Sequence, residues 1–355
     1  MSIVNFLKKA GRKAARAANI IGSDSKSIKK ALKSRADIEK HHSLKLSRKD
    51  KKTADDYAVD VLGSKEYAPW LYVYTLMQGK FKEGWIPSNF FDVRVTPVIN
   101  KSVGKATRLK TFTNLILKSE SIPDIAYYID GVLYDKAMSK ISLDHLSERL
   151  ADMGGQVYVK ADDSGQGRDV FRVSRGKINE NFLKKIGNCV IQESIYQHEF
   201  FERIIDETVA TVRITTVKEN NGDISMRTAY LRLGRSNTSW VQSDNSVRAA
   251  IVNNGGELGE FCYSSDWRKW TAHPDTKVAF AGEKIPKFEE AVQTCTELHK
   301  KIPHLTVIGW DVVISNSGSI KIIEWNARHP DIRFAESALG PCFIGLNWEQ
   351  YRKKR

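Results

Sequence analysis

Three oxygen-bearing side chains near the C-terminal end, Asp311, Glu324 and Asn326, have the spacing of a single hairpin. The runs 307–314 and 320–325 are apolar and rich in β-branched residues, and Ser315-Asn316-Ser317-Gly318 between them is turn chemistry. Pairing Ser315 with Ile320 across the turn puts Asp311 directly opposite Glu324, and the two-residue period of a strand puts Asn326 on the same face. Opposed strand residues have Cβ atoms about 4.5–5.5 Å apart, a separation at which like charges repel. Strands this apolar read as buried, which worsens the repulsion. Something positive must therefore lie between the carboxylates, or one must be protonated. Two carboxylates and an amide oxygen form a hard-oxygen set suited to Mg²⁺, with Mn²⁺ as a substitute. The competing reading is an acid pair neutralised by a nearby Lys or Arg.

A second constellation precedes it. Gly165-Gln166-Gly167 lies in the loop 162–169 between the apolar runs 157–160 and 170–173. No third glycine follows and strand character resumes, so the context of a dinucleotide-binding turn is missing. A glycine-rich hairpin tip can instead fold over phosphates and offer them backbone N–H groups, with Gly165 and Gly167 giving close access. Lys160, ending an apolar strand just before the loop, is costly there unless it meets an anion.

The elements that must position these groups follow from periodicity. Residues 125–129 and 132–134 flank Asp130-Gly131 as a strand–turn–strand, 190–192 is a short strand, and 208–217 and 225–233 flank the turn 220–223. Residues 285–301 read as a helix with Phe288, Val292, Cys295 and Leu298 or His299 on one face, and 109–117 read as helical. The result is an α+β chain with a mainly antiparallel sheet in its second half, divided into 1–52, 53–140 as a small α/β unit, and 141–355. Within the last part, a lid spans about 155–192 and the metal-bearing sheet about 205–345.

Charge sharpens that division. The 355 residues carry 56 Lys+Arg against 42 Asp+Glu, but residues 1–52 hold 16 of the bases and only four acids, so the rest is nearly neutral. Ile3, Leu7, Ala10, Ala14, Ala17 and Ile21 recur at helical spacing, and 26–35 also read as helical, giving a basic amphipathic arm. Such an arm either docks on the body or lies against an anionic membrane face or substrate. Residues 7–56 contain no Phe, Tyr or Trp, so the stacking pattern of single-strand nucleic-acid binders is missing. Four scattered cysteines form no C-x-x-C pair, and no apolar run approaches bilayer length. The basic residues from Lys8 to Arg16 interrupt any signal-peptide core. These features point to a reducing cytoplasm, with the inner membrane face as a peripheral location.

The order of segments resembles the ATP-grasp superfamily, and specifically its sugar-transfer-associated branch. The resemblance rests on the Lys110 stretch before Ile122-Pro123, Val157-Tyr158-Val159-Lys160 with its glycine loop, and Val190 to Ile195 followed by Gln197-His198. It continues through Thr211-Val212-Arg213-Ile214, Leu231-Arg232-Leu233-Gly234, Ser243-Asp244-Asn245, and Gly309-Trp310-Asp311 with Glu324-Trp325-Asn326. It implies an ATP-grasp fold in which two α+β subdomains grip ATP. Lys110 and Lys160 would hold the phosphates and the adenine edge, and Gln192, Glu193, Ser194 and Ile195 would form the adenine hinge. Arg213 and Arg232 would clamp the transferred phosphoryl group, and Asp311, Glu324 and Asn326 would hold Mg²⁺. Asn245 either assists the metal or substrate or belongs to a turn. Arg328, His329 and Arg333, after the metal residues, either bind the acceptor or cap their loop.

The activity so implied is an ATP- and Mg²⁺-dependent carboxylate–amine ligase working through an acyl-phosphate. It would join an amino acid or small amine to a uronic-acid carboxylate in capsular or surface polysaccharide biosynthesis. A kinase that stops at phosphoryl transfer and a non-enzymatic binder of an anionic polymer are the alternatives.

Overall fold

The computed structural model describes residues 24–151, 156–164, 169–236 and 245–352, and divides into two compact units. The amphipathic pattern over residues 3–21 lies outside the described residues.

One unit comprises Met1–Ile99, Asp266–Arg268 and Asp331–Arg355. Its first described helix, 24–41, buries Ala31, Ser34 and Ile38 at three- and four-residue spacing and leaves Lys26, Lys29, Lys33 and Lys40 in water. Trp70 Nε1 donates to Ser27 Oγ at 3.0 Å, and the Arg35 guanidinium lies over the Tyr72 ring, 5.5 Å from its centroid. The helix Ala68–Gln78 is buried nearly all round and stops at Gly79, whose φ of 74° suits a residue without Cβ. Residues 24–52 are therefore part of a helical unit rather than an arm divided from it at residue 52. Their buried stripe is made of small side chains, which hydropathy marks poorly beside so many lysines.

The second unit comprises Asn100–Ser265 and Lys269–Pro330 and contains two antiparallel sheets among the described residues. The first consists of β1 (Asp124–Ile129), β2 (Val132–Asp135), β3 (Gln156–Ala161), β4 (Val170–Ser174) and β5 (Cys189–Glu193), ordered β2-β1-β5-β3-β4. Asp130 and Gly131 have φ of 49° and 85°, the positive pair that a two-residue hairpin turn needs. The helices Leu143–Ala151 and Glu180–Ile186 cover one face through Leu146, Leu150 and Leu183, against Val157, Val159, Cys189 and Ile191. Tyr158, Lys160 and Gln192 fall on the opposite face by alternation. The division expected at residue 140 separates β1 and β2 from β5, yet β1 pairs with β5 through Ala126↔Ile191 and Tyr127↔Val190. A pairing between strands so far apart in sequence leaves no local signal.

The second sheet consists of β6 (Thr211–Lys218), β7 (Ile224–Leu233), β8 (Val247–Ile251), β9 (Leu258–Tyr263), β10 (Lys269–Trp270), β11 (Val307–Ile314) and β12 (Ile320–Asn326), ordered β10-β9-β8-β7-β6-β11-β12. One face packs Val212, Ile214, Leu231, Leu233, Ala249, Trp310, Val312 and Trp325 against Phe288, Ala291, Cys295 and Leu298 of the helix Phe288–Lys300. The other face carries the polar positions of the same strands. The helix expected over 109–117 forms as one 3₁₀ turn, Lys110–Phe112, followed by a short α-helix, Thr113–Leu117. Thr111 N donates to the Asp162 carboxylate at 3.0 Å instead of continuing a helical ladder.

Beneath the sheet, Trp310 Nε1 donates to Thr216 Oγ1 at 2.8 Å, Thr216 Oγ1 lies 2.8 Å from His299 Nδ1, and His299 Nε2 lies 3.1 Å from the Leu305 carbonyl. These contacts are all satisfied if His299 is neutral with its proton on Nε2, the Thr216 hydroxyl donating to Nδ1. Burial lowers the His299 pKa to about 4, helped by Lys218 and opposed by the bond to Leu305. The unfolded chain then binds the extra proton between about pH 6.5 and 4, so this group's stabilisation is complete above pH 6.5 and lost as pH falls through 4. The shift corresponds to about 3 kcal/mol. Urea unfolding at pH 7 and pH 4 is expected to show a drop in the wild type that exceeds that of His299→Gln by about this amount; equal drops would contradict the neutral buried imidazole.

Candidate active site

The acidic hairpin forms with one irregularity. Asp311 pairs with Glu324, while nearer the turn Val312 pairs with Ile322 and Ile314 with Ile320. The closing pair is therefore Ile314 and Ile320, not Ser315 and Ile320, and Ile323 is an extra residue in β12. This bulge restores the expected opposition of the two carboxylates and keeps Asn326 on the face of Glu324. Every residue of β11 is buried, but Glu324 and Asn326 on the edge strand β12 are partly accessible, unlike the fully buried pair of strands expected.

Arginine lies beside the acid pair. Arg213, opposite Asp311 on β6, donates from Nε at 2.6 Å and Nη2 at 3.0 Å to the two Asp311 oxygens, and from Nη1 to the Pro330 carbonyl at 3.0 Å. Arg232 Nη1 approaches Asp311 at 3.5 Å. Burial raises the Asp311 pKa, but Arg213, Arg232 and Lys160 outweigh it and hold the carboxyl below its usual range. The Arg213 guanidinium passes beside Gly309, where an added Cβ would lie 3.2 Å from Nη1 and 2.9 Å from the Pro330 carbonyl. Glycine at 309 thus makes room for the ion pair.

The same residues retain capacity for a cation. A carboxylate has about four lone-pair sites, and a bidentate guanidinium uses one on each oxygen. Glu324 and Asn326 supply further oxygens from the same face, and Asn326 Nδ2 is buried without a hydrogen-bond partner among the described residues. Among the described residues no cluster of three or more His, Cys, Asp or Glu side chains is gathered for a metal, so the candidate set is two carboxylates and an amide. Its chemistry fits Mg²⁺.

Lysine approaches from the other sheet. Lys160 Nζ donates to the carbonyl of the bulged Ile323 at 3.2 Å. Withdrawal from water lowers its pKa to about 8, opposed by Glu324, reinforced by the Lys110 charge, and opposed again by Asp124 and Asp311. Lys110 is buried and donates to the Ser164 carbonyl at 3.0 Å, at the base of the glycine loop. The acids Asp162 and Asp163 are held by other partners. Asp162 accepts from Thr111 N and Oγ1 at 3.0 and 2.7 Å, and Asp163 pairs with Arg108 at 2.9 Å. Gly165 and Gly167 lie outside the described residues.

The hinge segment connects the sheets. Glu193 N donates to the Pro123 carbonyl, and the Glu193 carboxylate pairs with Lys321 of β12 at 2.7 Å. His198 N donates to the Ile314 carbonyl at 3.0 Å, and its Nδ1 accepts from Phe200 N, capping the helix Glu199–Ile204. Gln192 is buried and donates to Asp124 Oδ1 at 2.8 Å; Tyr127 donates to the other oxygen at 2.9 Å. Ser194 Oγ is buried without a partner among the described residues, and Ile195 is half-buried.

The residues expected at the acceptor are divided between the two units. Arg328 is half-buried and His329 exposed, both in the second unit after β12, and Asn245 is half-buried just before β8. Arg333 belongs to the other unit, where Nε and Nη2 each reach Asp331 at 2.7 Å. Arg248, paired with Arg232, and Asp124, which accepts from Gln192, neighbour the candidate site and were not singled out from the sequence. Arg248 stands in a five-residue strand whose partner is unreadable from sequence, and Asp124 directly follows the Ile122-Pro123 break that marks the start of β1.

Residues 150–347 match the family described as sugar-transfer associated ATP-grasp, more than half of the chain, and the protein belongs to that family. No curated protein matches. Solved structures similar to it include the ATP-grasp ligase PsnB complexed with a minimal precursor, at 11% identity and a TM-score of 0.42, covering 71% of this chain and 62% of that one. Another is N5-carboxyaminoimidazole synthetase from Staphylococcus aureus complexed with ADP, at 11% identity and a TM-score of 0.42, covering 78% and 57%. A third is N5-carboxyaminoimidazole ribonucleotide synthetase from Thermotoga maritima, at 13% identity and a TM-score of 0.38, covering 80% and 54%. The chain spans less than two thirds of the length of each of these three proteins.

Removing Arg213 alone takes both short donors from the buried Asp311 and leaves it only the longer 3.5 Å approach of Arg232, at a cost of about 3–5 kcal/mol. Arg213→Met is expected to lower unfolding free energy by that amount, and Arg213→Met with Asp311→Leu to recover most of it. A double variant as unstable as the single one would show that the buried charge is not the cause.

Proposed function

We propose that this protein is an ATP- and Mg²⁺-dependent carboxylate–amine ligase, joining an amino acid or other small amine to the uronic-acid carboxylate of a surface-polysaccharide precursor. The observation that carries this reading is that Asp311, Glu324 and Asn326 share one face of the second sheet and Lys160 of the first sheet reaches the same hairpin. Family membership supports the nucleotide, and the sugar-transfer association of the family supports the glycan.

Lys160 and Lys110 bind the ATP phosphates, and Gln192 to Ile195 lie along the adenine, with the buried Ser194 hydroxyl available to it. Arg232, aided by Arg213, orients the reacting carboxylate and balances charge on the transferred phosphoryl group. A carboxylate oxygen attacks the γ-phosphorus, the bond to the bridging oxygen breaks, and ADP leaves. The amine then attacks the acyl carbon, loses a proton, and expels phosphate. When bound at Asp311, Glu324 and Asn326, Mg²⁺ supplies compensation for phosphate charge. No protein nucleophile is required, because positioning and charge compensation carry the catalysis.

The exposed lysines of residues 24–52 support an anionic partner, either the glycan precursor or an anionic membrane face, at the cytoplasmic side of the inner membrane. Among the described residues no helix is long and apolar enough to cross a membrane. Because this segment also supplies core residues, charge reversal is the appropriate probe. Lys26→Glu with Lys29→Glu is expected to weaken binding to anionic vesicles or to an acidic polysaccharide at low salt and to change little at 0.5 M salt. Unchanged binding at low salt would remove the recruiting role.

The central test is ADP release in a screen of uronic acids against amines, with product mass as the second readout. Release should require both substrates, and Glu324→Ala should reduce it by about 100-fold or more while unfolding stays cooperative. An active Glu324→Ala enzyme would sink the metal assignment. ADP release without amine, with a stable phosphorylated product, would convert the reading to a kinase.

A further inference from the structure

One buried carboxylate of the first sheet belongs neither to the metal set nor to an ion pair. Asp124, 5% exposed, starts β1 and lies opposite Gln192 of β5, and Gln192 lies opposite Tyr158 of β3. Both Asp124 oxygens are engaged: Oδ1 accepts from Gln192 Nε2 at 2.8 Å and Oδ2 from the Tyr127 hydroxyl at 2.9 Å. Burial raises the Asp124 pKa, and the bonds from Gln192 and Tyr127 and the charges of Lys160 and Lys136 oppose it. A carboxylate offers only acceptors, so it takes the nitrogen end of the Gln192 amide and leaves the oxygen end over.

That oxygen has no use inside the protein. Gln192 is 5% exposed, and its Oε1 receives no hydrogen bond among the described residues. Two residues on, Ser194 Oγ is buried and likewise has no partner among the described residues. An acceptor and a hydroxyl withdrawn from water and left unpaired are costly unless a ligand meets them. The register relates them to the phosphate-binding lysine. Lys160 follows Tyr158 by two residues on the same face of β3, so the rows of Gln192 and Lys160 lie about 7 Å apart along the strands. Lys160 stands at the end of that face next to the glycine loop, and Gln192 at the end next to the hinge.

We infer that Gln192 reads the nucleotide base through its side chain, with Asp124 as the positioning residue that leaves the amide oxygen to the ligand. The oxygen accepts a hydrogen bond from the exocyclic amino group of a 6-aminopurine, and the Ser194 hydroxyl donates to the neighbouring ring nitrogen. A 6-oxopurine sets its own oxygen against Gln192 Oε1, and two acceptors that meet in a buried site cost binding. The inference rests on the reading that residues 192–195 lie along the base, and it adds what selects that base.

The test titrates ADP and inosine diphosphate, each with Mg²⁺, into the full-length protein by calorimetry. The two ligands share ribose and phosphates and differ only at the edge of the base. The wild type is expected to bind ADP about tenfold or more tighter than inosine diphosphate. Asp124→Asn, whose amide can meet either end of Gln192, is expected to cut that ratio to about threefold or less. Loss of a merely structural residue would weaken both ligands together and leave the ratio unchanged. Gln192→Met keeps the side-chain length and is expected to abolish the preference, which decides the matter if Asp124→Asn does not unfold cooperatively. Equal affinities in the wild type, a ratio unchanged in Gln192→Met, or a ratio unchanged in cooperatively folded Asp124→Asn overturns the inference. ADP binding without base preference leaves the ligase reading standing, absence of ADP binding overturns the nucleotide site and the inference with it, and absence of amine-dependent ADP release leaves a measured base preference intact.

Discussion

The buried ion pair between Arg213 and Asp311 constrains everything around it. It places a cation against one of two opposed carboxylates, so Asp311 stays ionised at a depth where an isolated acid would take up a proton. It requires Gly309, because the guanidinium passes where a Cβ would sit. It also joins β6 to β11 through side chains as well as backbone, at the centre of the polar face. The pair is weak grounds for stability in itself, since desolvation offsets much of the attraction. Its value is to keep a charged carboxylate preorganised beside Glu324 and Asn326.

A second constraint is the bulge at Ile323. It corrects the register by one residue, bringing Asp311 opposite Glu324, and its carbonyl receives Lys160 from the other sheet. One irregular residue thus serves both the metal-type ligand set and the link between the two sheets. The acids Asp162 and Asp163 fit the same plan. Asp162 is engaged by Thr111 and Asp163 by Arg108, so each carboxylate has its own partner.

Much of the site is legible in sequence because its signals are local. Turn residues, the two-residue strand period and the opposition of like charges identify Asp311, Glu324 and Asn326, and a lysine at the end of an apolar strand identifies Lys160. The register at the hairpin turn was not legible, since a bulge shifts alternation without altering composition. Arg248 and Asp124 were missed for a related reason: their meaning comes from partners on other strands. The expected boundaries at residues 52 and 140 followed charge and segment type, whereas the chain divides according to which surfaces pack.

The sequence by itself determined the α+β class, most of the strands, the acidic hairpin and the family resemblance, because each depends on periodicity or on residues close together in the chain. Tertiary structure alone decided that Arg213 neutralises Asp311, that Lys160 meets β12, and that Arg232 faces Arg248. Those contacts join strands distant in sequence, and their electrostatics depend on burial and on separations of a few ångströms. No property of an isolated segment encodes either one.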